Sequence, residues 1–181
     1  MELQKTRFNI IIDIIDDRGT DAVPPIVDRL KKFGFRYATQ SGTTWGIDEV
    51  VVPVQKQSII DKARASERDI FTNYEEGLIS RDERRRMIVE VWHRAKSELE
   101  AILPETLDDQ GSAYEMWKSG ARGSLGQIGQ MAGMKGLIVN TRGETLEFPV
   151  LSSMKEGLTP IEYFITTHGS RKGLADTALQ T

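Results

Sequence analysis

The sequence predicts a mainly α-helical chain with a small β component. Three observations carry that expectation. Apolar residues recur at three- and four-residue intervals through 54–74 and 88–102, which is the stripe of an amphipathic helix. Two Ser/Thr-x-x-Glu boxes, Ser80 with Glu83 and Thr159 with Glu162, mark helix starts. Only one turn signal, Thr141-Arg142-Gly143, stands between two short β-type runs.

Composition limits the functional classes. The 181 residues hold 24 Lys+Arg and 27 Asp+Glu, a net charge of −3, so overall charge gives no argument for nucleic-acid binding. The absence of cysteine excludes disulfides and cysteine-ligated zinc, and two histidines are too few for a histidine-based metal cluster. No apolar run reaches the roughly 18 to 20 residues of a membrane span, and residues 1–17 lack a basic flank and a cleavage site. A cytoplasmic setting is the expectation.

In chain order, residues 8–15 form an apolar run that periodicity assigns equally to strand or buried helix. Val23, Ile26, Val27, Leu30 and Phe33 then fit a helical stripe, with Pro24 and Pro25 in its first turn and Gly34 as its stop. Residues 35–53 read as irregular connection closing in a short strand, Val50 to Val52, before Pro53. A helix follows over 54–74, ended by Gly77. Ser80 opens a second, whose face Ile88, Val91, Trp92, Ala95, Leu99 and Ile102 runs until Pro104. Together they predict an antiparallel helical hairpin with charged outer faces, either solvated or used for docking. A polar link (107–112), a glycine-rich run (119–136) and a β-hairpin (137–140 with 145–150) lead to a last helix. Thr159, Pro160 and Glu162 start it, and no stop signal appears before Thr181.

The run from Ser119 to Gly136 contains six glycines in eighteen residues. It supports two readings: a phosphate-binding loop aided by Arg122 or Lys135, or glycine used for tight packing. The order of Gly133, Met134, Lys135 and Gly136 excludes a Walker A loop. In the last helix, Gly169, Gly173, Ala175, Thr177 and Ala178 make a narrow small-residue surface, suited to close packing or to a helix that bends. His168, Arg171 and Lys172 form a basic patch; a Lys172–Asp176 surface pair and phosphate contact are the two alternatives. Trp45, Trp92 and Trp117 are read as packing residues and His93 as surface. No Ser/His/Asp arrangement, paired-carboxylate motif or metal-ligand spacing stands out.

Three stretches, YATQSGTTWGIDEVVVP (37–53), SGARGSLGQIGQMAGMKG (119–136) and THGSRKGLADTALQT (167–181), resemble the β′-subunit family of bacterial DNA-directed RNA polymerase. The resemblance implies a segment of a larger multidomain subunit rather than a self-contained fold. It divides the chain into a pore-region helix and connector (1–53), the helical hairpin at the secondary-channel rim (54–110), the F-loop region with a β-hairpin (111–158) and the first part of the bridge helix (159–181). It implies that Arg122 reaches the triphosphate of the incoming nucleotide. Arg171, Lys172, Thr177, Ala178, Gln180 and Thr181 would lie near nucleic acid at the active centre. Gln180 stands where the family usually has lysine, and Gly129 where a basic or polar residue is common.

The implied partners are the β, α and ω subunits, the rest of β′, template DNA and RNA, ribonucleoside triphosphates, and transcript-cleavage or regulatory factors at the rim; no membrane is implied, and the implied setting is cytoplasmic and nucleoid-associated. The family's Asp-Phe-Asp-Gly-Asp motif does not occur here. The resemblance therefore implies that Mg2+ is bound by residues outside the segment and that the isolated segment is inactive, the activity being that of the assembled nucleotidyltransferase. The chain reads as an internal piece beginning at an incidental or alternative Met1 and cut within the bridge helix. A separately encoded interaction module of a split polymerase and a free-standing nucleotide-phosphate binder are the alternatives.

Overall fold

A computed structural model describes residues 2–179, with side chains described from residue 9 onward; Gln180 and Thr181 lie outside the described residues. The helices are α1 (Glu2–Arg18), α2 (Val23–Ser41), α3 (Lys56–Glu75), α4 (Arg81–Thr106), α5 (Ser112–Lys118), α6 (Leu125–Ala132) and α7 (Pro160–Leu179). They fall in two compact units, one made of Met1–Glu49 and Asp109–Ser124, the other of Val50–Asp108 and Leu125–Thr181.

The first unit contains α1, α2 and α5. Residues 8–15, for which strand and buried helix were the two expectations, belong to α1, and Ile10, Ile11, Ile12 and Ile15 are exposed on it. The isoleucines occupy successive positions, so they spread around the helix instead of forming one stripe. In α2, Pro24 and Pro25 sit in the first turn as expected, but the helix passes Gly34 and ends at Gly42, whose φ of 62° is left-handed. An interior glycine costs about 1 kcal/mol. That is too little to stop a helix across which the Phe33 and Tyr37 rings pack, with centroids 4.5 Å apart. Ser112, expected in a polar link, instead opens α5, where the Glu49 carboxylate accepts the Ala113 N–H at 3.0 Å. A carboxylate there satisfies a free amide and complements the helix dipole.

The second unit is built on the predicted hairpin of α3 and α4. Gly77 makes the turn with φ 77°. Ser80 caps α4 with a complete box: its hydroxyl accepts the Glu83 N–H at 3.2 Å while Glu83 accepts the Ser80 N–H at 2.9 Å. Ile59, Ala63 and Ile70 meet Ile88, Trp92, Ala95 and Leu99, with Met134 closing the cluster. Arg84 lies over the Phe71 and Tyr74 rings and pairs with Glu147 at 3.0 Å. The α4 helix runs through Pro104 to Thr106, one turn farther than its apolar face was expected to reach. Leu103 and Leu107 are buried on either side of the proline, and their packing outweighs the one hydrogen bond it removes.

The expected β component is reduced to two isolated antiparallel bridges, Gly136 with Val150 and Val139 with Thr145. The turn between them forms where expected, held by the Asn140 side-chain oxygen, which accepts the N–H groups of Arg142 and Glu144. Val50 to Val52 likewise form no strand. Val50 is 1% exposed and packs with Leu103 and Ala132.

Candidate functional site

Residues 151–179 carry the most specialised geometry of the second unit. The helix α7 begins where Thr159 caps it, Pro160 presets the first turn and Glu162 closes the box, as the sequence predicts. Glu162 does more than close a box. The residue is 6% exposed, and its carboxylate accepts from the N–H groups of Leu151 (2.9 Å), Ser152 (3.0 Å) and Thr159 (3.0 Å) and from the hydroxyls of Ser152 (2.8 Å) and Thr159 (2.9 Å). Burial alone would raise its pKa. The donors of Ser152 and Thr159 outweigh that and hold the carboxyl down at about 2.

An adjacent hub links the same loop to the hairpin. Glu156 accepts the Ser153 N–H at 2.9 Å and the Ser153 hydroxyl at 2.8 Å, and it pairs with Lys56, the first residue of α3. Burial pushes Glu156 up, but Lys56 and Ser153 together hold it below the usual carboxylate range. Sequence reasoning named neither Glu156 nor the Leu151–Ser152 donors. Ser153-x-x-Glu156 has the same spacing as the two recognised boxes and was a usable signal.

Farther along α7, close approach occurs at one glycine and not the other. A Cβ on Gly169 would stand 3.1 Å from the Ile138 Cγ2, whereas one on Gly173 would meet nothing within 4 Å. Lys172 pairs with Asp176 at 2.6 Å, the plain surface pair among the alternatives. Arg171 is exposed and forms no ion pair among the described residues. Thr177 donates its hydroxyl to the Gly173 carbonyl at 2.8 Å, and Ala178 is exposed beside it. His168 stands edge-on to Phe164 at 5.7 Å. A cavity of about 550 Å³ opens near the start of α7, lined by Phe71, Trp92, Phe148, Leu151, Ile161 and Glu162.

Arg122 lies in the first unit, exposed in the turn after α5. The backbone amides up to Arg122 are already used: Ser119 donates to Glu115, Gly120 to Trp117, Ala121 to the Ser119 hydroxyl and Arg122 to Met116. A phosphate cradle needs such amides free and convergent. These close the C-terminal end of a helix instead, with Gly120 and Gly123 at φ 68° and 93°.

The second half of the glycine run sits in the other unit and forms α6 on α4. A Cβ on Gly129 would come within 3.1 Å of the Glu100 side chain, and one on Gly136 within 3.0 Å of Lys96. Of the tryptophans, Trp92 is buried, Trp117 is half-buried against Tyr114, and Trp45 is 40% exposed, so packing is not assigned to Trp45. His93 is exposed. Among the described residues no group of three or more His, Asp or Glu side chains is arranged to hold a metal ion, and no helix is long and apolar enough to cross a membrane.

The family model for RNA polymerase Rpb1, domain 4, matches residues 64–163. The chain is 41% identical over 178 residues to the DNA-directed RNA polymerase subunit β′ of Pelotomaculum thermopropionicum, covering 98% of this chain and 15% of that subunit. The β′ subunit of Geobacillus kaustophilus is 44% identical over 178 residues with the same two coverages. That of Bacillus subtilis is 43% identical over 172 residues, 95% of this chain and 14% of the subunit. The chain thus spans about 15% of the length of these relatives.

Proposed function

Since the chain belongs to the RNA polymerase Rpb1 domain 4 family and corresponds to a segment of a bacterial β′ subunit, we propose that it works at the active centre of that polymerase. In this reading α3 and α4 form the rim of the secondary channel through which nucleotides enter, the glycine run supports the active centre, and α7 is the first part of the bridge helix.

One observation carries the reading. A 20-residue helix buries only Glu162 and Thr166, while Ile161, Tyr163, Phe164, Leu174 and Leu179 are 65 to 83% exposed. An apolar helix surface of this kind is expected where the rest of a large assembly packs around it. Gly173, Thr177 and Ala178 carry nothing larger than a hydroxyl or a methyl, which favours close approach of a base pair beside the exposed Leu174. Arg171 adds an exposed cation for phosphate. The resemblance also assigns Gln180 and Thr181 to the neighbourhood of nucleic acid, with glutamine in place of lysine removing one charged contact.

Arg122 would bring its guanidinium to the triphosphate, where a planar, permanently charged donor stabilises charge that develops during phosphoryl transfer. The described residues do not form a Mg2+ site. Because the family's Asp-Phe-Asp-Gly-Asp motif does not occur in this sequence, metal ligation is assigned to residues outside the segment, and the segment alone would be inactive. The substrates of the assembled enzyme would be ribonucleoside triphosphates and a DNA template, and its partners β, α, ω and the remainder of β′, in the cytoplasm at the nucleoid. A second reading, a separately encoded module that docks transcription factors, draws on the hairpin's own buried core. The free-standing phosphate binder has less support, because the N–H groups of 119–122 are bonded within the chain.

The test uses polymerase assembled around the β′ subunit that carries this segment, with a photo-crosslinking residue at Thr177, Ala178 or His93. Template DNA should crosslink from 177 and 178 and not from 93, which lies on the proposed rim. Crosslinking equal at all three positions, or from none, would overturn the bridge-helix reading.

A further inference from the structure

The carboxylate of Glu162 is the most densely bonded side chain described in the protein, and a cap does not require that density. A capping box uses the N-cap amide and hydroxyl, here Thr159. The other three donors, the Leu151 and Ser152 N–H groups and the Ser152 hydroxyl, come from a loop ten and eleven residues upstream. One carboxylate therefore ties the first turn of α7 to a backbone segment outside the helix. That segment is itself anchored. Ser153, the next residue, is held by Glu156, and Glu156 is held by Lys56 at the start of α3. Farther along α7, Thr166 is buried and Gly169 faces Ile138; beyond Gly169 the helix has no buried residue up to the described end, with Lys172, Ala175 and Asp176 half-buried and the others exposed.

We infer that Glu162 is a positioning residue for nucleotide addition: by fixing the first turn of α7 to the Leu151–Ser152 backbone it sets where the small-residue face at Gly173, Thr177 and Ala178 lies. This rests on the proposal that α7 works at the active centre. A helix rises 1.5 Å per residue. Thr177 is thus about 20 Å from the anchored turn, and a small pivot at Glu162 becomes a displacement of ångström size at the working face. Glutamine at this position keeps one accepting oxygen but turns an NH2 group toward donors, so it breaks part of the tie without changing side-chain volume.

The experiment is single-turnover nucleotide addition by the assembled polymerase carrying Glu162→Gln, Glu162→Ala or Ser152→Ala in this segment. Ala178→Trp serves as the probe of the underlying reading. The expected result is a maximal addition rate lowered by roughly tenfold in Glu162→Ala, short of the hundredfold that about 1 Å of misplacement can cost. Glu162→Gln and Ser152→Ala should fall between it and the parent. The apparent KM for nucleotide should be unchanged in all three, because none touches the triphosphate.

A general loss of folding would lower the assembled fraction and leave the rate per assembled enzyme intact, so rates are normalised to active complexes. Glu162→Gln, isosteric with the parent, keeps the test decisive where Glu162→Ala fails to assemble. Parent-like rates in Glu162→Gln and Ser152→Ala, with addition abolished by Ala178→Trp, would overturn the positioning role and leave the active-centre reading standing. Parent-like addition in Ala178→Trp would overturn the reading beneath it.

Discussion

Acid should weaken the second unit through Glu162 in a way that can be calculated and isolated. The folded pKa, about 2, lies below the ordinary carboxylate value of 4.5. A group depressed on folding contributes stability that is fully present above its unfolded pKa and is lost as pH falls toward the folded one. The window is therefore from about 4.5 down to about 2. The depression corresponds to about 3 kcal/mol at neutral pH, of which roughly half is left at pH 3 and little at pH 2. Glu83 and Glu156 shift in the same direction, so the acid sensitivity of the parent chain alone does not identify Glu162. The difference between parent and Glu162→Gln does, since the variant lacks only this titration. Urea unfolding of the 181-residue chain, followed by tryptophan fluorescence, should show a gap that is largest near pH 6 and narrows by about 2 kcal/mol at pH 3. A gap independent of pH over that range would refute the assignment, because it would mean that the carboxylate charge is not what the five donors stabilise.

Three further outcomes follow from named contacts. Trp92→Ala empties the centre of the α3–α4 core and strands the Glu67 oxygen that accepts its indole N–H at 3.3 Å; it should lower unfolding free energy by about 3 to 5 kcal/mol in the same urea assay. Gly133→Ala and Gly173→Ala should move thermal stability in opposite directions. A Cβ at 133 would lie 2.8 Å from the Gly129 carbonyl, whereas at 173 it meets open space within a helix and should add about 0.5 to 1 kcal/mol. Arg122→Ala should leave the melting temperature of the chain unchanged, because the side chain is exposed, while raising the apparent KM for ribonucleoside triphosphates about tenfold in the assembled polymerase, the loss of one charge-assisted contact. An unchanged KM would remove Arg122 from the substrate site.

What was legible in the sequence was local. The boxes at Ser80 and Thr159 act over three residues, so their spacing alone determines the hydrogen bonds, and both form as read. The hairpin seam from Ile59 to Leu99 was equally legible because helix period and burial coincide there. Errors arose where a local rule met a longer-range contact. Gly34 breaks no helix because aromatic packing spans it, and Pro104 breaks none because Leu103 and Leu107 are buried around it. The α6 helix was hidden by its glycines, although Leu125, Ile128, Met131 and Ala132 keep helical spacing. At the candidate site the sequence showed the cap half of Glu162 and not the loop half, since nothing in the residues 151–152 signals which carboxylate their amides will meet.

The glycine run illustrates how one composition can serve two physical ends. Gly120, Gly123 and Gly136 have φ between 68° and 93°, where any side chain is strained, and they reverse the chain. Gly126, Gly129 and Gly133 have ordinary dihedrals and serve space: two of them lie against Glu100, and the third lies against the carbonyl of Gly129. Glu100 itself pairs with Lys96 at 3.7 Å, and Lys96 is the side chain that a Cβ on Gly136 would strike. The 125–136 segment is therefore seated over one i,i+4 ion pair on α4, and its next turns run directly into Ile138, the residue that meets Gly169 of α7. A substitution at Gly129 that displaced Glu100 would thus act at both ends of this chain of contacts, on the hairpin beneath and on the helix beyond. A larger residue at this position would have to seat the segment differently, and comparing Gly129→Lys with Gly126→Lys in the same nucleotide-addition assay would show whether that seating, rather than added charge, alters the rate.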